Sequence, residues 1–304
     1  NGLGGYASST LCGSNTRAYH GLLVAALQPP KDRWLLLAFL DEEIEGHHLA
    51  CHQYPGAIYP QGYQYIREFR QDTFPRICYE VGEARVEKTV FMIRGENTTI
   101  VRYRITGGEG RFSIVPLMHS RSFHAARPLP LLQQEEMAGG ALIRSLEKTD
   151  APLMLLSDGP AFMADERVYH NFEYEAERSR GLAWKEDLFS PGCFQMELSG
   201  EAEFAIAASA WRSSMPDLRR EMAREKARLE ALKGPLPELS AATDSFLVRR
   251  GAGLSIIAGY HWFDDWGRDA MISLPGLLLF TGRTEEAAAV LRSFASAMQG
   301  GVLP

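Results

Sequence analysis

The sequence predicts a mainly β chain in which an N-terminal antiparallel β-sandwich leads through a linker helix into the start of an all-helical domain. Three observations carry that prediction. As far as residue 212 the apolar residues fall in short or alternating runs separated by glycine and proline, the pattern of antiparallel strands. At Pro216 the texture changes to a charged stretch with apolar residues at helical spacing, and later segments repeat that spacing. A length of 304 residues, at about 150 per domain, suggests two domains, each able to hold a core.

The expected strands are 20–27, 34–40, 77–81, 86–93, 98–106, 111–118, 153–157, 169–174 and 203–210. Pro29-Pro30, Gly95-Glu96-Asn97, Gly107-Gly108-Glu109-Gly110, Gly139-Gly140 and Pro191-Gly192 punctuate them. Many strands and few helices define a sandwich over residues 1–213. Residues 217–233 carry Leu218, Met222, Leu229 and Leu232 on one side of a helix built from strong helix formers, which forms the linker, 214–240. Gly234-Pro235-Leu236-Pro237 stops it, since proline disfavours helix in the residue before it and cannot continue one. Three further helices are expected at 241–250, 268–281 and 285–299, with Thr284 capping the last and Gly300 ending it. Residues 241–304 are too few for a large core of their own.

Composition excludes several classes of function. A formal charge of 32 − 38 = −6 has the wrong sign for a protein that binds by neutralising phosphates, so no nucleic-acid partner is expected. The longest apolar runs, 34–40 and 274–280, are far shorter than a membrane span, and no membrane partner is expected either. Cys12, Cys51, Cys78 and Cys193 form no C-x-x-C pair, which points to a reducing, cytoplasmic setting and gives no metal site. No cofactor is implied. The chain begins at Asn1 without a signal-like segment and stops at Pro304, where a new element normally starts; a fragment of a longer protein is expected.

The densest chemical signal is Gly259-Tyr260-His261-Trp262-Phe263-Asp264-Asp265-Trp266-Gly267-Arg268-Asp269, eleven residues holding four aromatics, a histidine, an arginine and three aspartates. Flat apolar rings beside carboxylates and a guanidinium suit a sugar, whose C–H faces lie on aromatics and whose hydroxyls need polar partners. Trp262, Phe263, Asp265, Trp266 and Arg268 are therefore candidate substrate-binding residues, and Asp269 is the candidate catalytic residue. The competing reading makes the aromatics core and the aspartates helix caps. Asp269 carries a tension of its own: a helix N-terminus favours a carboxylate, which would anchor hydroxyls, whereas burial against Trp262 and Trp266 favours the protonated acid that a leaving oxygen needs. Arg268 and Asp269 point about 100° apart on a helix and need not pair.

Other segments are less specific. The glycines of Asn1-Gly2-Leu3-Gly4-Gly5-Tyr6 lack the spacing and strand-to-helix setting of a phosphate loop and read as turns where backbones approach closely. Tyr54-Pro55-Gly56-Ala57-Ile58-Tyr59-Pro60-Gln61-Gly62-Tyr63-Gln64-Tyr65 could floor a glycan groove or pack on a neighbouring domain. Asp41-Glu42-Glu43 reads as a solvated turn, though one acid could face a cleft, and His47, His48, His52 and His119 lack metal-ligand spacing.

Several of these segments, in this order, resemble a known family. Asn1-Gly2-Leu3-Gly4-Gly5-Tyr6-Ala7-Ser8, Thr16-Arg17 with His20-Gly21-Leu22-Leu23, Tyr54-Pro55-Gly56-Ala57 with Pro60-Gln61-Gly62-Tyr63, Gly95-Glu96-Asn97-Thr98-Thr99, and Ala258-Gly259-Tyr260 through Trp266-Gly267-Arg268-Asp269 are similar to the prokaryotic glycogen debranching enzymes of the amylo-α-1,6-glucosidase type. The resemblance implies a β-sandwich followed by an (α/α)6 barrel, of which 241–304 would supply the first helices, and hydrolysis of α-1,6-linked glucose at branch points of glycogen or a related α-glucan, with inversion. It places Trp266-Gly267-Arg268-Asp269 in the sugar pocket, with Asp269 matching either an acid or a hydroxyl anchor. Inversion needs two carboxyl groups about 6.5–9.5 Å apart. The second, with most of the barrel, is expected beyond Pro304, so the missing barrel is itself an expected partner and the isolated chain is expected to be inactive. Two other readings stand beside this one: a non-catalytic α-glucan-binding sandwich, and a glycoside phosphorylase, which would need a basic phosphate pocket that the segment near Trp266 does not offer.

Overall fold

The computed structural model describes residues 1–125, 127–147, 151–232 and 236–301. The strands of the first part are β1 (Tyr6–Ser8), β2 (Gly21–Gln28), β3 (Lys31–Ile44), β4 (His47–His48), β5 (Cys51–Tyr54), β6 (Ala57–Gln61), β7 (Ile66–Gln71), β8 (Pro75–Val81), β9 (Ala84–Met92), β10 (Thr98–Ser122), β11 (Leu132–Met137), β12 (Gly140–Ser145), β13 (Leu153–Ser157), β14 (Ala161–Glu173) and β15 (Lys185–Ser209). A single helical turn, α1 (Glu175–Arg178), joins the last two. There follow α2 (Leu218–Glu230), α3 (Pro237–Asp244), β16 (Leu247–Arg250), β17 (Gly253–Gly259), β18 (Phe263–Asp265), α4 (Gly267–Leu274) and α5 (Thr284–Ser296). The chain is mainly β, as expected. Among the described residues no helix is long and apolar enough to cross a membrane.

Thirteen strands form one antiparallel hydrogen-bonded sheet that folds over on itself, because β10 and β15 each run through both halves. Residues 99–106 of β10 pair with β9, while residues 112–122 pair with β3. Likewise residues 185–195 of β15 pair with β14 and residues 206–209 with β13. One half therefore runs β7-β8-β9-β10-β15-β13-β12-β11 and the other β1-β2-β3-β10-β15-β14. Leu23 and Leu37 from the second half share one buried cluster with Val86, Val101, Ile143 and Ile206 from the first. Each such side chain contributes about 1.5–3 kcal/mol of burial, so the two faces hold each other shut.

The expected break at residues 107–110 is a bend within a continuous strand. The pairing register of β10 against β15 shifts between Ile105 and Gly108, and Gly107 and Gly110 adopt φ of 69° and 73°, which lets the strand change layers without ending. Pro191-Gly192 also lies inside a strand, β15. Residues 41–43 belong to β3 and not to a turn: Glu42 points into the core, where it accepts from the Tyr103 hydroxyl and lies 2.6 Å from Lys88 Nζ, leaving Asp41 and Glu43 on the outer face. The glycines at the chain start are close approaches, since a Cβ on Gly5 would lie 2.7 Å from Asn97 Oδ1 and 2.9 Å from the Val24 carbonyl.

α2 matches its expectation: the Asp217 side chain caps it by accepting from the Arg220 amide at 3.1 Å, and Leu218 and Met222 pack on the sandwich beside Phe91 and Ile100. Gly234 and Pro235, like Pro304, lie outside the described residues. The helix expected at 241–250 is corrected. It stops at Asp244, and Leu247–Arg250 instead pairs with β17 through the two-residue turn Gly251-Ala252, which buries Leu247 against Ile256. Pro275 ends α4 because it has no N–H for the helical ladder, and Pro275–Leu279 continues as a π turn. Thr284 is the first residue of α5 and not its cap; Arg283 occupies the cap position, and the helix ends at Ser296, ahead of Gly300.

Asp244 ties these pieces together. Its buried carboxylate lies 2.7 Å from Arg228 of α2, 2.9 Å from Arg283 ahead of α5, and 3.3 Å from Arg94, which follows β9. Burial alone would raise the Asp244 carboxyl; the Arg94, Arg228 and Arg283 guanidiniums overcome it and hold the group below the usual range. Asp244→Ala leaves three guanidiniums facing an empty site and is expected to cost on the order of 3 kcal/mol in urea denaturation. Because the folded carboxyl lies below its unfolded value near 3.9, this stabilisation is present above about pH 4 and is lost as pH falls through the folded value.

Candidate functional site

The loop between β17 and β18, with the turn leading into α4, carries the aromatic and acidic residues singled out from the sequence. Its shape is set from below by Arg33 of β3, whose side chain has no exposed surface. The Arg33 guanidinium donates to the backbone carbonyls of Tyr260 and Phe263 and, at 2.9 and 3.2 Å, to Asp264 Oδ1. Phe123 lies across its face with the ring centre 4.3 Å away. Four donor contacts from one planar group leave the loop a single way to sit.

Trp262, Phe263 and Trp266 are 39%, 52% and 52% exposed, so three rings on a short stretch of chain stand at the surface and do not form core. Arg268 is exposed, and Asp269, in the first turn of α4, is half-exposed; its Oδ2 lies 3.4 Å from the Arg268 guanidinium and accepts no hydrogen bond. These neighbours, which need not pair on a helix, do meet here, because the flexible arginine stem reaches across the helix start. Asp265 is placed differently from the rest. Its side chain is fully buried, with Oδ2 accepting from Arg250 at 2.8 Å and from the Ser255 hydroxyl at 2.6 Å, so it braces the hairpin, while its buried Oδ1 accepts no hydrogen bond.

The start of the chain completes the rim. Ser8 Oγ hydrogen-bonds His261 Nε2 at 2.8 Å, and the Tyr6 ring meets Tyr260 and His261 edge-on. The Arg17 guanidinium lies 4.5 Å from the Trp262 ring centre, stacked over it, and the buried Glu177 of α1 stands 3.9 Å behind Arg17. Burial raises the Glu177 carboxyl, and Arg17 opposes it. His20 meets His261 edge to face; burial, with help from His261 and Arg17, pushes the His20 imidazole down to about 4. His261 is also lowered, by burial first and then by Arg17 and Arg33. The His20 and His261 imidazoles thus floor the rim under an exposed aromatic surface edged by Arg17, Arg268 and Asp269, groups chemically able to stack an apolar ring face and hydrogen-bond hydroxyls.

Residues 1–205 match the profile described as glycogen debranching enzyme N terminal, and residues 241–304 match that of amylo-alpha-1,6-glucosidase. Among solved structures, a bacterial glucoamylase complexed with acarbose is similar over 94% of this chain and 47% of its own, with a TM-score of 0.50 at 10% identity. The chain thus spans about half of that protein's length, and the likeness is one of fold. A polysaccharide lyase matches over 64% of this chain and 28% of its own, with a TM-score of 0.28 at 10% identity. Comparison with curated proteins gives no match. The two family models define the class, that of the glycogen debranching and amylo-alpha-1,6-glucosidase domains. Within it, the chain belongs to the glycogen debranching enzyme family.

Arg33, Ser8 and Glu177 were not singled out from the sequence. Arg33 left one trace: it alternates with Leu35 on the same side of a strand that is otherwise apolar there, a position where a charge needs a buried partner. Arg33→Met is expected to leave the Asp264 carboxylate and two carbonyls unpaired, to cost about 3 kcal/mol, and to speed amide hydrogen exchange at residues 260–264. Between about 4 and the ordinary imidazole value near 6.5 the unfolded chain binds a proton that the folded His20 excludes, so this stability rises with pH and is lost as pH falls through that window. His20→Gln should flatten that dependence in denaturation curves recorded from pH 7 to pH 4.

Proposed function

We propose that this chain is the sandwich and first barrel segment of an enzyme that hydrolyses α-1,6-glucosidic branch points of glycogen or a related α-glucan with inversion. Residues 1–213, 214–240 and 241–304 are its sandwich, linker and barrel start. The observation that carries the reading is the exposed trio Trp262, Phe263 and Trp266 beside the Arg268–Asp269 pair, next to backbone that Arg33 clamps at residues 260–264, in a chain of the debranching family. In this reading the rings take the apolar face of a terminal glucose. Arg268 donates to its hydroxyls, and the Asp269 carboxylate accepts from them.

Geometry favours the anchor role for Asp269 over the acid role. It sits in the first turn of α4, where backbone N–H groups favour negative charge, and it faces a guanidinium, so it is built to accept hydrogen bonds. The other acids of the loop are already engaged, Asp264 by Arg33 and Asp265 by Arg250 and Ser255. Inversion needs an acid and a base about 6.5–9.5 Å apart with a water between them. In this reading that pair comes from the rest of the barrel, and the sandwich contributes the rim through Ser8, Arg17 and His20.

The test is Asp269→Asn in the full-length protein containing this chain, assayed by glucose release from a branched dextrin. An anchor predicts KM raised by about tenfold or more, a loss of about 1.4 kcal/mol, with oligosaccharide binding weakened in parallel. Unchanged binding with turnover abolished would return Asp269 to the acid role. The chain of 304 residues by itself is expected to release no glucose from the same substrate.

A further inference from the structure

The outer face of the β1-β2-β3-β10-β15-β14 half carries a second feature that the rim does not use. A pocket of about 450 Å³ lies where this face meets the β5–β6 hairpin. Asp41 and Glu43 of β3 and Arg167 and Tyr169 of β14 line its floor, and Tyr54 and Tyr59 of the hairpin line its wall. These are the acidic run and the tyrosine cluster of the sequence, brought together by the fold.

The pocket is pre-organised. His52 is buried edge-on against Phe39 and Phe172, with ring centres 4.4 and 5.1 Å away, and its Nε2 lies 2.9 and 2.8 Å from the two Asp41 oxygens. A carboxylate only accepts, so Nε2–H is the donor, and Asp41 keeps acceptor sites directed at the cavity in a fixed orientation. The charges in the wall cancel locally. Arg167 lies 2.5 Å from Asp165, and Arg111 lies 3.7 Å from Glu43. Neither guanidinium stands apart from a carboxylate, which disfavours an anion. Three tyrosine rings with paired carboxylates and guanidiniums suit a neutral ring-shaped ligand with many hydroxyls.

We propose that this pocket is a second saccharide site, binding a glucose unit of an outer chain of the glucan whose branch reaches the Trp262 rim. The proposal rests on the glucan reading above. Both sites lie along β3, where Arg33 and Asp41 are eight residues and so roughly 26 Å apart. A single branched polymer can engage both, and the two contacts then reinforce each other by effective concentration.

Native electrophoresis of this chain through gels containing soluble glycogen tests it. Tyr59 is 62% exposed and Asp41→Asn is isosteric, so Tyr59→Ala and Asp41→Asn are expected to fold as the parent does, which circular dichroism checks. Each should weaken retardation by about tenfold, as should the double variant Trp262→Ala/Trp266→Ala at the rim, while Leu131→Ala, 75% exposed and in neither site, stays within about threefold of the parent. Retardation that ignores Tyr59 and Asp41 but vanishes in the tryptophan variant overturns the pocket and leaves the glucan reading intact. A parent chain that glycogen does not retard at all also overturns the pocket, and glucose release by the full-length protein then judges the glucan reading separately.

Discussion

The Arg33 guanidinium sits on a sandwich strand and donates to a loop about 230 residues further along the chain. An arginine with no exposed surface has lost its water, a cost of several kcal/mol that is offset only if its donors find acceptors in good geometry. Tyr260, Phe263 and Asp264 supply them, and that obligation shapes the rim. If the loop moved, a bare cation would remain among Tyr6, Phe123 and Leu35. Trp262, Phe263 and Trp266 can therefore stand exposed and still hold a fixed arrangement.

Two other devices make that clamp possible. The glycine bend at residues 107–110 lets β10 serve both halves of the sheet, so β3 and its Arg33 lie in a layer backed by the whole core. Asp244 then draws α2, α3 and the segment before α5 toward the sandwich through three guanidiniums. Hydrophobic contact alone would allow the helical segment to slide over the sheet. Buried ion pairs with fixed partners select one register, at the cost of sensitivity to the loss of any partner.

Rim and pocket reuse the same local chemistry in different ways. At the rim, the buried His20 and the partly buried His261 lie beneath exposed rings, and one arginine–aspartate pair meets the solvent. In the pocket, a buried histidine orients Asp41 instead. Both also hold a less buried group with a buried one, Asp41 with His52 and Arg17 with Glu177, and the buried partner is the part that sequence reading passes over.

Much of the fold was legible because burial follows alternation. Apolar runs at 34–40, 153–157 and 203–210 mark strands whatever their neighbours do, and the charged, periodic stretch from Asp217 marks a helix with its own cap. The concentration of rings and acids from Tyr260 to Asp269 was legible as composition. Residues 107–110 read as a break because glycines signal both turns and bulges, and only pairing on both sides distinguishes them. Residues 241–250 read as one helix because Asp244 and Leu247 suit either state until three arginines claim the first and Ile256 the second. Sequence by itself determined the long apolar strands, the charged helix from Asp217 and where aromatic and acidic groups concentrate, since these follow from local pattern. Tertiary structure alone decided that Asp265 is a brace, that Asp41 and the hairpin tyrosines share a pocket, and that Arg33 holds the rim, because each depends on a charge finding its partner across a distance in the chain that no local pattern encodes.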